Sequence, residues 1–291
     1  LVDLETRDLT HRPEGFFADC EAALGERVSR EFYRSQIEIG TRVHTRIGEL
    51  RDELIYLRET LAEVARRYDI GIVAASMHPF ARQLDQDITP KERYQIIQHD
   101  LGIVGRRLAV CGMHVHVGID DENERIDLMN QVRYFLPHLL TLSTSSPFFE
   151  GEDTGMKGYR LTLYQECPRS GLPERFSSWD DYQKTVDVLV RTGVIQDPTK
   201  IWWDIRPSVR FPTLEMRITD VCTRVDDTVA IAALYTCLLR MLSELRRSNQ
   251  SWRHYADLLV NENRWRAMRY GVTGSLLDYC LPRADDLPSF N

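Results

Sequence analysis

Residues 111–120 read CGMHVHVGID, and their alternation decides the fold class. Met113, Val115, Val117 and Ile119 fall on one side of an extended chain, and His114, His116, Gly118 and Asp120 on the other. Successive side chains of a strand point to opposite faces, so the two imidazoles point the same way, roughly 6–7 Å apart. A strand with one oily face and one face of ligating side chains is the wall of a site, or simply a half-exposed strand with two solvated histidines.

Two further segments alternate in the same way. Pro212–Asp220 reads PTLEMRITD, with Leu214, Met216 and Ile218 opposite Glu215, Arg217 and Thr219. Arg34–Thr41 reads RSQIEIGT, with Ile37 and Ile39 opposite Gln36, Glu38 and Gly40. Half-polar strands belong to antiparallel sheets with one wet face, where a lone charge is ordinary. Three such strands bringing Glu38, Glu215, Arg217, His114 and His116 suggest a carboxylate–imidazole cluster with an arginine beside it. That donor set suits Mg²⁺ or Mn²⁺ and could also hold Zn²⁺. The arginine suits a phosphate or a substrate carboxylate.

The chain has 291 residues, 43% of them hydrophobic and 28% charged, the balance of a globular protein with a large core. A net charge of −7 argues against general nucleic-acid binding, which needs a basic surface. A small phosphorylated ligand needs only a local group of arginines. No run reads as the ~18 apolar residues of a membrane span. The six cysteines are scattered without a CxxC pair, as expected of reduced thiols in a cytoplasmic protein.

Periodicity of 3.6 residues predicts helices over 49–68, 91–108, 122–142, 179–192, 226–247 and 251–270. Pro137 should kink the third, and Asp226 or Asp227 should cap the fifth. Residues 70–75 read as a short buried strand, 201–207 and 212–220 as a strand pair, and 143–173 as a long loop of functional type. The tail 281–291 reads as loop. Neither GxxxxGK[ST] nor GxGxxG occurs, so a P-loop or Rossmann site has no support. Helices and alternating strands without strict βαβ order give an α+β fold, an antiparallel sheet backed by helices.

Several motifs in order resemble the carboxylate–amine ligase family, also called glutamate–cysteine ligase type 2. They are QIEIGT (36–41), MHPFA (77–81), ERYQ (92–95), HVHVG (114–118), SSPFFEGEDTG (145–155), GYR (158–160), WDIRPS (203–208), LEMRITD (214–220) and RYG (269–271). HVHVG and WDIRPS at this separation form a specific pair. The resemblance implies a glutamine synthetase/guanido kinase-like catalytic fold, in which a curved antiparallel sheet forms a funnel for ATP, divalent metal and an amino acid. It implies that ATP phosphorylates the γ-carboxylate of glutamate and that an amine, typically that of cysteine, attacks the acyl phosphate.

By the same resemblance Glu38, Glu215 and one or both of His114 and His116 are metal ligands for Mg²⁺ or Mn²⁺. Arg160 and Arg217 hold a substrate carboxylate or phosphate, Arg206 is a second anion contact, and His78 lines the site. Each has a plainer alternative. Glu215 and Arg217 could form a cross-strand ion pair, His78 could stabilise its turn before Pro79, and Arg206 could pair with Asp204. The expected organisation is one catalytic domain over 1–291, without the family's first strand (a Gly-x-Glu-x-Glu pattern) and its C-terminal helical region. Relatives often carry Gly-Thr where this chain has Ala75-Ser76-Met77. The alternatives are a metal-dependent hydrolase and a non-catalytic relative that binds ATP or an amino acid. Expected partners are small molecules (ATP, a carboxylate, an amine), with no nucleic acid and no membrane; self-association is left open.

Overall fold

The computed structural model describes residues 1–279; Cys280 and the tail 281–291 lie outside the described residues. In chain order the elements begin β1 (Val2–Asp3), α1 (Phe16–Leu24), β2 (Val28–Arg30), β3 (Ile37–Ile39), α2 (Ile47–Arg66), β4 (Ile70–Gly71) and α3 (Glu92–Leu101). Next come β5 (Val115–Gly118), α4 (Glu122–Val132), α5 (Leu136–Ser143), β6 (Phe148–Phe149), β7 (Glu152–Asp153), α6 (Arg160–Tyr164) and β8 (Ser170–Gly171). The series ends with α7 (Trp179–Arg191), β9 (Trp202–Trp203), β10 (Ile205–Pro207), β11 (Thr213–Met216), α8 (Val225–Arg247) and α9 (Asp257–Tyr270).

Where the sequence suggests one domain, contacts divide the chain into two compact units. Unit 1 holds residues 1–111, 146–154 and 221–230; unit 2 holds 112–145, 155–220 and 231 onward. The core of unit 1 is the seam of α1 and α2. Phe16, Cys20 and Leu24 recur at four-residue steps on α1 and meet Leu57, Leu61, Val64 and Ala65 of α2, with Val28 and Ile70 closing the ends. Phe16 and Tyr68 pack edge to face at 5.5 Å.

Unit 2 is built on the antiparallel sheet β10–β11–β5. Leu214, Met216 and Ile218 form its oily face and are fully buried. Helix α4 is capped by Asp121, whose carboxylate accepts from Glu124 N at 2.6 Å, and α7 by Ser178, which accepts from Asp181 N. Helix α9 packs on α5 and carries Arg264 inward. Arg264 donates Nε to Asp204 Oδ2 at 2.6 Å and Nη2 to Oδ1 at 3.1 Å, a two-pronged pair with both side chains buried.

The structure amends the sequence expectations in several places. The strand bearing Glu38 does not join the histidine strand: β3 pairs with β2, in register Ser29↔Glu38. Among the described residues the strands form one three-stranded and four two-stranded sheets. Pro137 breaks rather than kinks its helix, because it occupies the first turn of α5, where a missing N–H costs nothing. The expected helix over 91–108 ends at Leu101, stopped by Gly102 at φ 55°. The first turn of α8 contains Asp226 and Asp227, so these carboxylates face the helix dipole instead of capping it. The last helix starts at Asp257, not 251. The loop over 143–173 contains the hairpin β6–β7, turned by Glu150 (φ 49°) and Gly151 (φ 90°), the pair of positive φ values that a tight two-residue hairpin needs.

One composition reading is also corrected. Helix α8 is long and apolar enough to cross a membrane, with a mean hydropathy of 1.4 over its best window. Its Ala232, Tyr235, Leu239 and Leu242 are buried at three- and four-residue steps, while Arg240 and Glu244 are exposed, the pattern of an amphipathic core helix.

The Arg264–Asp204 pair sets a stability prediction. Arg264→Met strands a buried carboxylate and should cost about 3–5 kcal/mol in urea unfolding, whereas the double variant Arg264→Met/Asp204→Leu should recover most of the loss. Additive losses in the double variant would show that the two side chains act separately.

Candidate active site

The register of unit 2's sheet aligns the polar residues in rows. Arg206 on β10 faces Glu215 on β11, and Glu215 faces His116 on β5. One step along, Met216 faces Val115, so that Arg217 follows beside His114 on the same polar side as Glu215 and His116. The alternation read from the sequence is the alternation observed: Met113 and Ile119 are buried, and His114, His116, Gly118 and Asp120 are exposed.

Glu215 is the centre of these rows and is only 4% exposed. Arg206 Nε donates to its Oε2 at 2.9 Å, and Arg217 Nη1 donates to its Oε1. His114 Nδ1 and His116 Nε2 stand 3.7 and 3.8 Å from Oε1. Burial pushes the Glu215 carboxyl pKa up, but Arg217 and Arg206 more than offset this and hold it at about 2. The His114 side chain keeps 30% of its surface in water, and the protein packed around the rest of the ring, followed by Arg217, holds it well below the usual imidazole range. Its Nδ1 faces Arg217 Nη1 at 3.5 Å, which assigns the proton of the neutral ring to Nε2. His116 Nδ1 meets Thr213 Oγ1 at 2.9 Å.

The arginines differ in what their donors do. Arg160 is 2% exposed; Nε goes to Asp220 Oδ1 at 2.7 Å, and Nη2 to the carbonyls of Ile218 and Thr219 at 2.8 and 2.9 Å. It straps α6 to the segment after β11 and also lines the cleft that Arg217 and His114 share. Arg206 spends Nη1 on the carbonyls of Thr199 and Ile201. Its suggested pairing with Asp204 is not made, since Asp204 is taken by Arg264. Arg217 gives only Nη1 to Glu215; among the described residues no protein acceptor takes its Nε or Nη2. Arg217 and His114 line a cleft with Tyr164, Trp202, Trp203 and Asp204.

Two expected residues belong to unit 1. The Glu38 carboxylate accepts from Ser29 Oγ at 2.9 Å. His78 is buried; its Nδ1 accepts from Ala81 N at 3.0 Å, which leaves Nε2 to donate to the Arg7 carbonyl at 2.9 Å. That is the turn-stabilising alternative. Glu38 belongs to unit 1 and His114, His116 and Glu215 to unit 2, and among the described residues no three His, Cys, Asp or Glu side chains form a metal group. Both Glu215 oxygens already serve guanidiniums, and Mg²⁺ wants about six oxygen ligands, so as arranged the donors do not fit a resident divalent ion.

The sequence reading missed Tyr164, Trp202, Asp220 and Gly112. A signal existed for the last: a Cβ on Gly112 would stand 2.9 Å from Arg160 Nη1 and 3.4 Å from His114 Nε2, so the glycine two residues before His114 makes room for the Arg160 strap.

The fold and the site together point to a class, and comparison with known proteins bears on it. The crystal structure of a glutamate–cysteine ligase from Francisella tularensis in complex with AMP superposes with a TM-score of 0.63, covering 92% of this chain and 69% of that one at 15% identity; the two share a fold. The family described as glutamate-cysteine ligase family 2 matches residues 1–286. A relative in Rhodospirillum rubrum, named "Putative glutamate--cysteine ligase 2", is 56% identical over 284 residues, covering 96% of this chain and 73% of its own. One of the same name in Jannaschia is 52% identical over 279 residues, covering 96% and 74%. The chain belongs to glutamate–cysteine ligase family 2. It is an ATP-dependent ligase that forms a C–N bond.

The charge pattern fixes a pH response. Glu215 has a folded pKa below its ordinary 4.5, so its stabilisation is complete above 4.5 and lost as pH falls toward 2. His114 acts in the same direction: neutral in the fold, it takes up a proton in the unfolded chain below its usual 6.5. Unfolding free energy measured in urea should therefore decline as pH drops below 6.5 and decline further below 4.5, and His114→Gln should shrink the first decline. An unchanged first decline in the variant would mean that His114 titrates normally in the fold.

Proposed function

We propose that this chain joins the γ-carboxylate of glutamate, or a similar acid, to an amine such as that of cysteine through an acyl phosphate. A carboxylate oxygen attacks the γ-phosphorus of ATP, and the bridging P–O bond to the β-phosphate breaks, releasing ADP. The amine then attacks the acyl carbon, phosphate departs with the C–O bond, and the amine gives up a proton. The observation that carries the reading is Arg217, anchored by Glu215 and lining a cleft beside a neutral His114 with guanidinium donors that no described residue takes. The reading includes the glutamine-synthetase-like arrangement of a curved sheet around the substrates. Reduced thiols suit a cytoplasmic setting; among the described residues no disulfide joins the cysteines.

Each residue's part follows from its state. With a pKa near 2, Glu215 is too weak a base to accept the amine's proton; it stays anionic and fixes the planes of two guanidiniums. Arg217 turns its remaining donors toward the charge that builds on the transferring phosphoryl or the carboxylate, in a fork that lysine cannot copy. His114 offers an Nε2 hydrogen bond without adding a full charge. His116, the more exposed ring, held by Thr213, takes the proton released by the amine. ATP enters with its own divalent cation as substrate, and no step is routed through a resident metal.

Two measurements test this. Arg217→Lys should lower kcat/KM for carboxylate-dependent ADP release about 100-fold or more while the melting temperature stays close to wild type. Near-normal turnover would reduce Arg217 to an ion-pair partner. With glutamate and hydroxylamine, the protein should form a hydroxamate and ADP in equal amounts. AMP and pyrophosphate instead would mean an acyl adenylate and would sink the acyl-phosphate reading.

A further inference from the structure

The strand that carries Glu215 gains one residue just past β11. Against β10 the register runs Arg206↔Glu215 and Ile205↔Met216, and the next residue, Asp204, then meets two. Its backbone carbonyl accepts from Arg217 N at 2.8 Å and from Ile218 N at 3.1 Å. The other neighbour shows the same shift independently. Met216 faces Val115, yet Asp220 faces Gly112, and Met113 N donates to the Thr219 carbonyl at 3.1 Å. Four steps along one strand, from 216 to 220, are thus matched by three along its partner, from 115 to 112. This is a β-bulge at Arg217–Ile218. A bulge bends its strand, sharpens the local twist and re-aims the side chain it carries.

The bulge is held from two sides. Arg160 Nη2 donates to the carbonyls of Arg217, Ile218 and Thr219 at 3.3, 2.8 and 2.9 Å. Successive carbonyls of a regular strand alternate in direction, so three in a row on one nitrogen mark a chain that has left strand geometry. On the other side stands Asp204, 3% exposed. Its N donates to the Gly171 carbonyl at 2.7 Å, and its carboxylate lies in the two-pronged grip of Arg264. A buried ion pair is a weak source of stability, since apolar side chains of similar size can do as well. What this pair supplies is position. Asp204 cannot turn or shift without breaking the grip, and its carbonyl is the acceptor on which both bulge amides hang.

We propose that Arg264 and Asp204 are positioning residues for the ligase reaction: by fixing the carbonyl that holds the bulge, they aim the Arg217 guanidinium along the cleft. The line of support runs from α9 through the Asp204 carboxylate to its carbonyl, and from there to the Arg217 backbone. The charged groups of the pair are spent on each other, so they act through Arg217 and not on the substrate. The inference rests on the reading of Arg217 as the anion contact. Its energetic weight follows from geometry: a reacting group displaced by about 1 Å can lose on the order of 100-fold in rate.

The test uses the whole chain with Arg264→Met/Asp204→Leu, which removes the grip without leaving a buried charge, and with Arg264→Lys, which keeps the charge but not the two-pronged contact. Amide hydrogen exchange at Arg217 and Ile218 should be about tenfold faster or more in both variants, while exchange inside α4 and the melting temperature stay near wild type. In both, kcat/KM for carboxylate-dependent ADP release should fall about tenfold or more. Placed in an Arg217→Lys background, the double substitution should add less than about a twofold loss, because its effect passes through Arg217. Unchanged exchange at Arg217 and Ile218, exchange that rises in α4 as well, or a full tenfold further loss in the Arg217→Lys background would each overturn the proposal. Absence of carboxylate-dependent turnover in the wild type would instead remove the ligase reading, and the exchange rates alone would then decide whether Arg264 and Asp204 hold the bulge.

Discussion

The Glu215 carboxylate between Arg206 and Arg217 is the constraint on which the site depends. Burying one charge in a sheet is costly; burying it with two opposite charges and their hydrogen bonds is tolerable, and it leaves a surplus of positive charge. That surplus faces the cleft because Glu215 is seated below the guanidiniums at only 4% exposure, while Arg217 lies at the edge. Loss of hydration at the ring, and after it the nearby charge of Arg217, keep His114 neutral. One carboxylate therefore sets the orientation of two arginines.

This arrangement needs a rigid register more than a large sheet. Three strands of three or four residues suffice, because the rows Arg206–Glu215–His116 and Arg217–His114 are set by antiparallel pairing, and a slip of one residue would turn every one of these side chains into the core. The oily face resists that slip: Leu214, Met216 and Ile218 are fully buried. From below, the Arg160–Asp220 strap ties the end of this segment to α6, and the Arg264–Asp204 pair ties its neighbour to α9. The strap itself was not legible, because the sequence context of Arg160, GYR before a short helix, carries no sign of the carbonyls it bonds.

How much of this was legible beforehand follows from the range of each interaction. The alternation in CGMHVHVGID and PTLEMRITD is local, so the polar faces of β5 and β11 were readable. Helix α2 was readable for the same reason, its apolar stripe running from Leu57 to Ala65. Strand partnership is not local: Glu38 alternates as clearly as Glu215, yet β3 pairs with β2, seven residues upstream. The roles of His78 and Asp204 depend on the Arg7 carbonyl and on Arg264, 71 and 60 residues away, and no spacing rule reaches that far. Pro137 was noticed, but whether a proline kinks a helix or starts a new one depends on whether the preceding turn can loosen; here residues 133–135 form a 3₁₀ turn.

Arginine donors offer a way to separate framework from function in this chain. Arg264 and Arg160 are both 2% exposed, and the hydrogen bonds they make bind distant segments together. Arg217 is different: it anchors itself through one terminal nitrogen to the Glu215 carboxylate, and no described residue accepts from its Nε or Nη2. A guanidinium held in this way has already lost most of its conformational freedom, so a ligand oxyanion meets a fixed fork and orders little on arrival. Folding stability gains less from such an arginine than from a fully engaged one, since part of its hydrogen-bonding capacity goes unused in the ligand-free chain. Within the Glu215 cluster that unmet capacity belongs to Arg217, whose neighbour Arg206 spends its donors on Glu215 and on the carbonyls of Thr199 and Ile201.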